Sequence, residues 1–341
     1  MQNAYITFTA PGKAELLEKA IDPPKPGQVL VKTVCSTISS GTERANLTGN
    51  PNISIDPRSA GAPAVFPRTV GYSSSGIVCA VGENVHSVKE GDRVAVSWGI
   101  HSRYQTVSEK NVHLLEEQNS FRDGALGLIG TFPLAAIRKC RLEIGESSIV
   151  MGLGVLGLLT VQLLRAAGAY PVIAVDPVAD KREKALLLGA DYAFDPFVPD
   201  FESRIRAIVP NGVRVAVEVT GNGKALDQVL DCMARFGRVA LLGCTRSPDF
   251  TIDYYRKVHG PGISLIGAHT NARPQEESSP GMWTTRDDIR TLLQLAANGR
   301  IGLERMVEET HSPTEAPEIF SRLAAEKHFP VVQLDWTTLE D

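Results

Sequence analysis

The sequence predicts an α/β chain in which a mostly β N-terminal part precedes a doubly wound parallel sheet. Three observations carry that expectation. Residues 1 to about 120 break into short β-like runs separated by Pro/Gly turns, with no long helical period. From about 122 onward, β-like and helix-like runs alternate, which is the pattern of a parallel sheet covered on both faces. Between Ser148 and Gly157, a short apolar run enters a Gly-x-Gly-x-x-Gly turn and opens a helix-compatible stretch.

In the first part the β-like runs include Gln28 to Val34, Gly76 to Val81 and Arg93 to Val96. They are punctuated by Pro23-Pro24, Pro26-Gly27, Val81-Gly82 and Glu90-Gly91-Asp92. The stretch from Asn50 to Pro67, rich in Pro, Ser and Ala, reads as a long surface loop at a pocket mouth. Asp123 to Arg138 is apolar and helix-compatible. Candidate strands then follow at Ile149 to Met151, Val172 to Val175, Tyr192 to Phe194, Val213 to Val219, Arg238 to Leu242 and Ile263 to Ile266. Helical patterns occupy Leu158 to Ala167, Asp180 to Leu188, Phe201 to Ile208, Gly223 to Ala234 and Thr285 to Ala297. One more helix (Thr314 to Glu326) and a β-like run (Pro330 to Leu334) end the chain. The expected division is 1–122 with 299–341 as one domain and 123–298 as the other.

The glycine turn has chemistry of its own. Gly152 permits the tight turn, Gly154 lets backbone approach a pyrophosphate, and Gly157 lets the helix pack close to the strand. Val155 and Leu156 begin that helix, whose free N–H groups and positive dipole end suit phosphate. Asp176 ends the second strand, where a carboxylate accepts from both ribose hydroxyls and repels a 2′-phosphate. That favours NAD over NADP, with Lys181 and Arg182 keeping NADP as the lesser alternative; a capping acid is the plain structural reading of Asp176. Thr220 and Gly221 end a strand on the side expected for the cofactor, and Gly243 ends the next.

Bulk properties narrow the field. The 341 residues suffice for one large or two ordinary domains, and 43% hydrophobic with 22% charged residues is globular composition. A net charge of -4 supplies no electrostatic reason to expect a nucleic acid or an anionic membrane as partner. Five scattered cysteines without a C-x-x-C suit a reducing compartment. The N-terminus lacks a basic segment followed by an apolar one, and the longest apolar run, Ile149 to Leu164, is broken by glycine. A cytoplasmic protein is the expectation.

Several motifs mark the chain: Pro26-Gly27-Gln28-Val29-Leu30-Val31-Lys32, Gly41-Thr42-Glu43, Gly71-Tyr72-Ser73 with Gly76 and Val78, and Gly91-Asp92-Arg93-Val94. Val81-Gly82, Gly152 to Gly157, Leu188-Gly189-Ala190-Asp191 and Glu218-x-Thr220-Gly221 complete the set. Together they resemble the medium-chain dehydrogenase/reductase family, across essentially the whole chain. The resemblance implies a GroES-like β-barrel domain completed by the C-terminal segment, followed by a Rossmann domain. It also implies a homodimer through the last Rossmann strand. Ser39-Ser40-Gly41-Thr42-Glu43-Arg44 with Thr48-Gly49 is similar to the signature of the bacteriochlorophyllide dehydrogenase-like subgroup.

Departures from the family pattern concern the metal. Zinc members place a Cys at the position of Ser40 and a His-Glu pair at those of Tyr72 and Ser73, with the third catalytic ligand a few residues before a Thr; around Thr131 this chain has Gly127, Leu128 and Gly130. Serine, tyrosine and glycine are not zinc ligands of the usual kind. No Cys stands between Cys79 and Cys140, so the four-cysteine structural lobe has no counterpart. The expectation is a zinc-free member with no metal site.

Without a metal, a reacting carbonyl needs another electrophile and a proton source. Tyr72, at the former zinc-histidine position, is the leading candidate, with a packing tyrosine as the plain alternative. Thr42 matches the family's proton-relay position, Ser40 lies beside it, and both can equally serve as capping groups or satisfy the vacated site. His101 follows the Gly-Asp-Arg-Val strand at a loop bordering the family's cleft, a place for an acid/base or for packing. Glu43 reads as an arginine partner, and His259, His269 and Trp283 flank the last strand of the second domain without an assigned role. The resulting expectation is hydride transfer at nicotinamide C4 between a secondary alcohol (a polyol, sugar or similar) and its ketone. The alternatives are a C=C reductase of the enoyl or quinone type and a non-catalytic NAD(H)-binding protein.

Overall fold

The computed structural model describes residues 2–247 and 250–340. The chain divides into two compact units, Met1–Ile129 with Ile289–Gly299 and Leu303–Asp341, and Gly130–Asp288 with Arg300–Gly302.

The first unit is built on a seven-stranded sheet whose centre is the strand Gln28–Thr37, paired antiparallel with Ser73–Val81 and with Tyr104–Ser108. Alternation along these strands sends Val29, Val31, Val78, Val94, Val96 and Val112 into one dry cluster. The C-terminal strand Val332–Asp335 joins the same sheet antiparallel, with Leu334 opposite Ser36. A smaller sheet, Gln2–Ala10 between Lys13–Ala20 and Arg68–Thr69, covers a second core containing Ile6, Phe8, Ile38, Phe320 and Trp336. Phe8 and Phe320 meet edge to face with ring centroids 5.0 Å apart, tying the first strand to the helix Ala316–Ala325.

The second unit is a six-stranded, wholly parallel sheet. Its strand order is Tyr192–Phe194, Val172–Val175, Ser148–Met151, Val213–Glu218, Met233–Leu241, Ser264–Gly267. This is the doubly wound order with its switch point between Ser148–Met151 and Val213–Glu218. Central strands are buried on both faces, so Ile149, Met151, Ile173, Val175 and Val239 form one continuous core.

Several boundaries differ from those read in the sequence. The first part holds a helix, Ser40–Leu47, where only strands and loops were expected. Gly41 and the preceding serines disguise it: no N-cap side chain bonds into its first turn, and Glu43 accepts the N–H of the N-cap residue Ser39 instead. The expected helix from 123 is two helices, Phe121–Gly124 and Gly127–Lys139, the first closed by a Ser120–Asp123 capping box. The helix from Gly223 stops at Cys232, and the next strand starts early at Met233, before a register irregularity brings Arg238 opposite Val215. Among the described residues, no helix is long and apolar enough to cross a membrane.

Candidate functional site

The glycine turn of the second unit is shaped as a cradle. Gly152 turns at φ +97, and a Cβ on Gly157 would lie 1.9 Å from the Gly152 carbonyl oxygen, so helix and strand meet with no room for a side chain. A Cβ on Gly154 would meet nothing within 4 Å, which leaves open space beside this backbone. Gly154 is the N-cap of the helix Val155–Ala166, so the first-turn N–H groups beginning at Val155 and Leu156 form its positive end. The residues fit a pyrophosphate.

Asp176 follows the strand Val172–Val175 and is 7% exposed. Its carboxylate accepts the backbone N–H of Leu153 at 2.8 Å and that of Val178 at 2.9 Å. Each oxygen therefore accepts one backbone N–H and keeps a second lone pair for a hydroxyl. Arg182 turns its guanidinium onto the Asp176 and Pro177 carbonyls, at 2.8 and 2.9 Å, and faces Asp195 at 3.8 Å.

At the end of Val213–Glu218, the buried Glu218 carboxylate gathers the N–H groups of Thr220 and Gly221 and the Thr220 hydroxyl. Burial pushes this carboxyl above its ordinary range, against the pull of those hydrogen bonds. Glu218 thereby sets the turn that presents Thr220 and Gly221, a role its place in a Glu-x-Thr-Gly motif had not suggested. Gly243 packs against Gly221 at the end of the neighbouring strand. Beside them opens a cavity of about 880 Å³ lined by Phe197, Thr220, Asn222, Lys224, Arg246 and Phe250.

In the first unit, Ser40 and Thr42 occupy the first turn of Ser40–Leu47, and both are half-buried. Tyr72, also half-buried, hydrogen-bonds through its hydroxyl to Ser39 Oγ at the N-cap of that helix, and its ring lies 5.8 Å from that of Trp98. Tyr72, Ser40 and Thr42 are thus gathered around one helix terminus. Ser73 points away, buried and bonded to the Ala125 carbonyl at 2.8 Å.

His101 is corrected by the structure. It is 0% exposed, with Nδ1 2.8 Å from Ser36 Oγ and Nε2 3.1 Å from Glu43 Oε2, so it presents no ring nitrogen to a substrate. Glu43 is also corrected, since its partner is this histidine and not an arginine. Arg44, its neighbour, instead donates to the Leu323 and Glu326 carbonyls at the end of Ala316–Ala325. Trp283 lies under the Arg138 guanidinium at 3.6 Å, an intramolecular cation–π contact.

Comparison with known proteins agrees with this geometry. Residues 25–138 match the alcohol dehydrogenase GroES-like domain, and residues 155–295 match the zinc-binding dehydrogenase family. The (R,R)-butanediol dehydrogenase of Bacillus subtilis is 30% identical over 65% of this chain and 72% of its own length. This chain belongs to the medium-chain, zinc-type alcohol dehydrogenase family. Within that family, the L-threonine 3-dehydrogenase of Pyrococcus horikoshii is 28% identical, covering 96% of this chain and 97% of its own. A solved protein of Sinorhizobium meliloti in complex with NADP shares the fold at TM-score 0.82 and 24% identity, covering 98% and 99% of the two chains. The first unit is accordingly a GroES-like domain and the second a Rossmann domain, and the protein is an NAD(P)-dependent oxidoreductase of the medium-chain alcohol dehydrogenase type.

Zinc is the metal named in the matching family model. The motif resemblance would put its ligands at Ser40, Tyr72 and Ser73, and the Ser73 hydroxyl donates to the Ala125 carbonyl. Among the described residues, no group of three or more His, Cys, Asp or Glu side chains converges as a metal site would require.

Proposed function

We propose that this dehydrogenase is a zinc-independent, NAD-preferring member that interconverts a small secondary alcohol and its ketone. The observation that carries the reading is Tyr72, a hydroxyl hydrogen-bonded to Ser39 at the position where zinc members keep a histidine ligand. Bound at the glycine cradle, the nicotinamide cofactor supplies the hydride chemistry. Tyr72 Oη holds the substrate oxygen and exchanges its proton, with the Ser40 and Thr42 hydroxyls on the adjoining helix turn as relay groups. Asp176, with spare lone pairs, favours the unphosphorylated ribose of NAD. The motif from Ser39 to Arg44 is consistent with the bacteriochlorophyllide dehydrogenase-like subgroup.

The relatives named for threonine and butanediol suggest a compact substrate whose secondary hydroxyl has a polar neighbour. Scattered cysteines, none in a disulfide, fit a cytoplasmic enzyme. The edge strand Ser264–Gly267, with Leu265 exposed, suits a homodimer, which light scattering would report.

The decisive experiment follows NADH and NADPH formation with L-threonine, 2,3-butanediol and a polyol panel, and runs enone reduction in parallel. NAD-linked oxidation of a secondary alcohol by metal-stripped protein is expected. Turnover of enones alone with NADPH, or turnover of alcohols only after zinc is added, would overturn the reading.

A further inference from the structure

The Glu43–His101 pair lies outside the reach of any substrate, yet it sits directly behind Tyr72. Both side chains are buried, at 1% and 0% exposure. A Cβ on Gly71, the residue preceding Tyr72, would fall 2.3 Å from His101 Cγ, so the histidine ring is pressed against this stretch of backbone. The same loop is stitched by two backbone bonds, His101 N–H to the Val70 carbonyl at 2.7 Å and Trp98 N–H to the Tyr72 carbonyl at 2.8 Å. On the other side, Glu43 Oε1 accepts the N–H of Ser39 at 2.8 Å, and Ser39 Oγ is the partner of the Tyr72 hydroxyl. Glu43 and His101 therefore hold Tyr72 at both ends, its backbone through the loop and its hydroxyl through Ser39.

The acceptor on Nε2 selects the polarity of this network. Trp336 Nε1–H can only donate, and it fills one lone pair of Ser36 Oγ at 2.8 Å, leaving the Ser36 hydroxyl able either to donate to His101 Nδ1 or to accept from it. A Glu43 carboxylate oxygen accepts, so we assign the His101 proton to Nε2, with Nδ1 accepting the Ser36 hydroxyl. Glu43 in turn accepts two N–H groups in a site closed to water.

We infer that Glu43 and His101 are positioning residues that fix the Tyr72 hydroxyl on Ser39, a role resting on the assignment of Tyr72 to the substrate oxygen. Glu43 of the Gly-Thr-Glu motif and His101 of a distant loop thus act as a single brace, with Ser39 as the contact to the hydroxyl. Removing the carboxylate frees the Ser39 N–H and strips His101 of its partner, so the acceptor of the Tyr72 proton moves. The cofactor site on the Rossmann sheet shares none of these hydrogen bonds.

The test uses the full-length protein labelled with ¹³Cζ-tyrosine, the Tyr72 resonance being identified by its loss in Tyr72→Phe. Glu43→Ala is expected to shift that resonance. With 2,3-butanediol and NAD it is expected to lower kcat about tenfold, within the usual range for coupled neighbours, and to leave KM for NAD unchanged. In a Tyr72→Phe background the same change should cost nothing further. Glu43→Gln guards against misfolding: its amide oxygen can keep the Ser39 N–H, and its NH₂ group should drive the His101 proton to Nδ1, visible in the ¹⁵N-histidine spectrum. An unmoved Tyr72 resonance in Glu43→Ala, or an equal kcat loss in both backgrounds, would overturn the brace. Full activity in Tyr72→Phe would remove the catalytic assignment alone, and the resonance would still decide whether Glu43 and His101 hold Tyr72.

Discussion

The Asp176 carboxylate accepts the N–H of Leu153 at 2.8 Å, so the acid that ends one strand also pins the phosphate-binding turn after its neighbour. Cofactor choice and turn geometry are therefore coupled. Asp176→Ser should weaken NAD and admit NADP, because the negative charge that repels a 2′-phosphate is gone and Arg182 lies on the adjacent carbonyls. A shift of at least about tenfold in the ratio of kcat/KM for the two cofactors is expected, the scale of one charge-assisted hydrogen bond. Unchanged selectivity would assign Asp176 to the turn alone.

The Rossmann sheet was legible in the sequence because its signals are local. Strand, glycines, helix and terminal acid follow one another within Ser148 to Asp176, and each residue's role depends on near neighbours. The Ser40–Leu47 helix was not legible, since no N-cap side chain bonds into its first turn and Glu43 instead reaches back to the N–H of Ser39 before it. The Glu43–His101 contact joins residues 58 positions apart across the first unit, and no periodicity or spacing encodes such a meeting. That is also why His101 looked like a cleft residue: its loop was identified from the strand before it, and its burial depends on Gly71 and Phe320 packing around the ring.

Metal content can be measured directly. With Ser73 Oγ donating to the Ala125 carbonyl and Tyr72 bonded to Ser39, binding zinc at these positions would require breaking both contacts. Purified protein should hold far less than one zinc per chain, and dialysis against 1,10-phenanthroline should leave kcat and melting temperature unchanged. Stoichiometric zinc, or inactivation reversed by zinc alone, would contradict the donor-set argument.

Thiol reactivity should separate the five cysteines. Burial pushes the Cys35, Cys140 and Cys232 thiols up to about 12, so these are not thiolates at neutral pH. Cys244 is exposed and Cys79 half-buried. Native protein is expected to titrate at most these two with DTNB, Cys244 first, and denatured protein all five. Fast labelling of a third thiol in the native state would mean that one of the buried sites opens.

Stability should follow pH through a cluster near the C-terminus. Arg322 and His311 hydrogen-bond to Glu309, and they hold its carboxyl down at about 2, while Glu309 and Glu315 raise His311. A carboxylate with a depressed value stabilises the fold above its unfolded value and loses that contribution as pH falls through about 2. A raised histidine stabilises the fold fully below its unfolded value, near 6.5, and loses the contribution as pH rises through its folded value. Both contributions are therefore present together between roughly pH 5 and 6. His311→Ala should cost on the order of 1 kcal/mol at pH 5.5 after solvent screening, since these side chains are 22% and 31% exposed. The cost should be smaller at pH 8.5, on the alkaline side of the unfolded value of His311, where the contribution of its charge declines as pH rises through the folded value. Denaturant unfolding of both proteins at the two pH values measures the difference, and an equal cost at each would show that His311 acts through packing and not through charge.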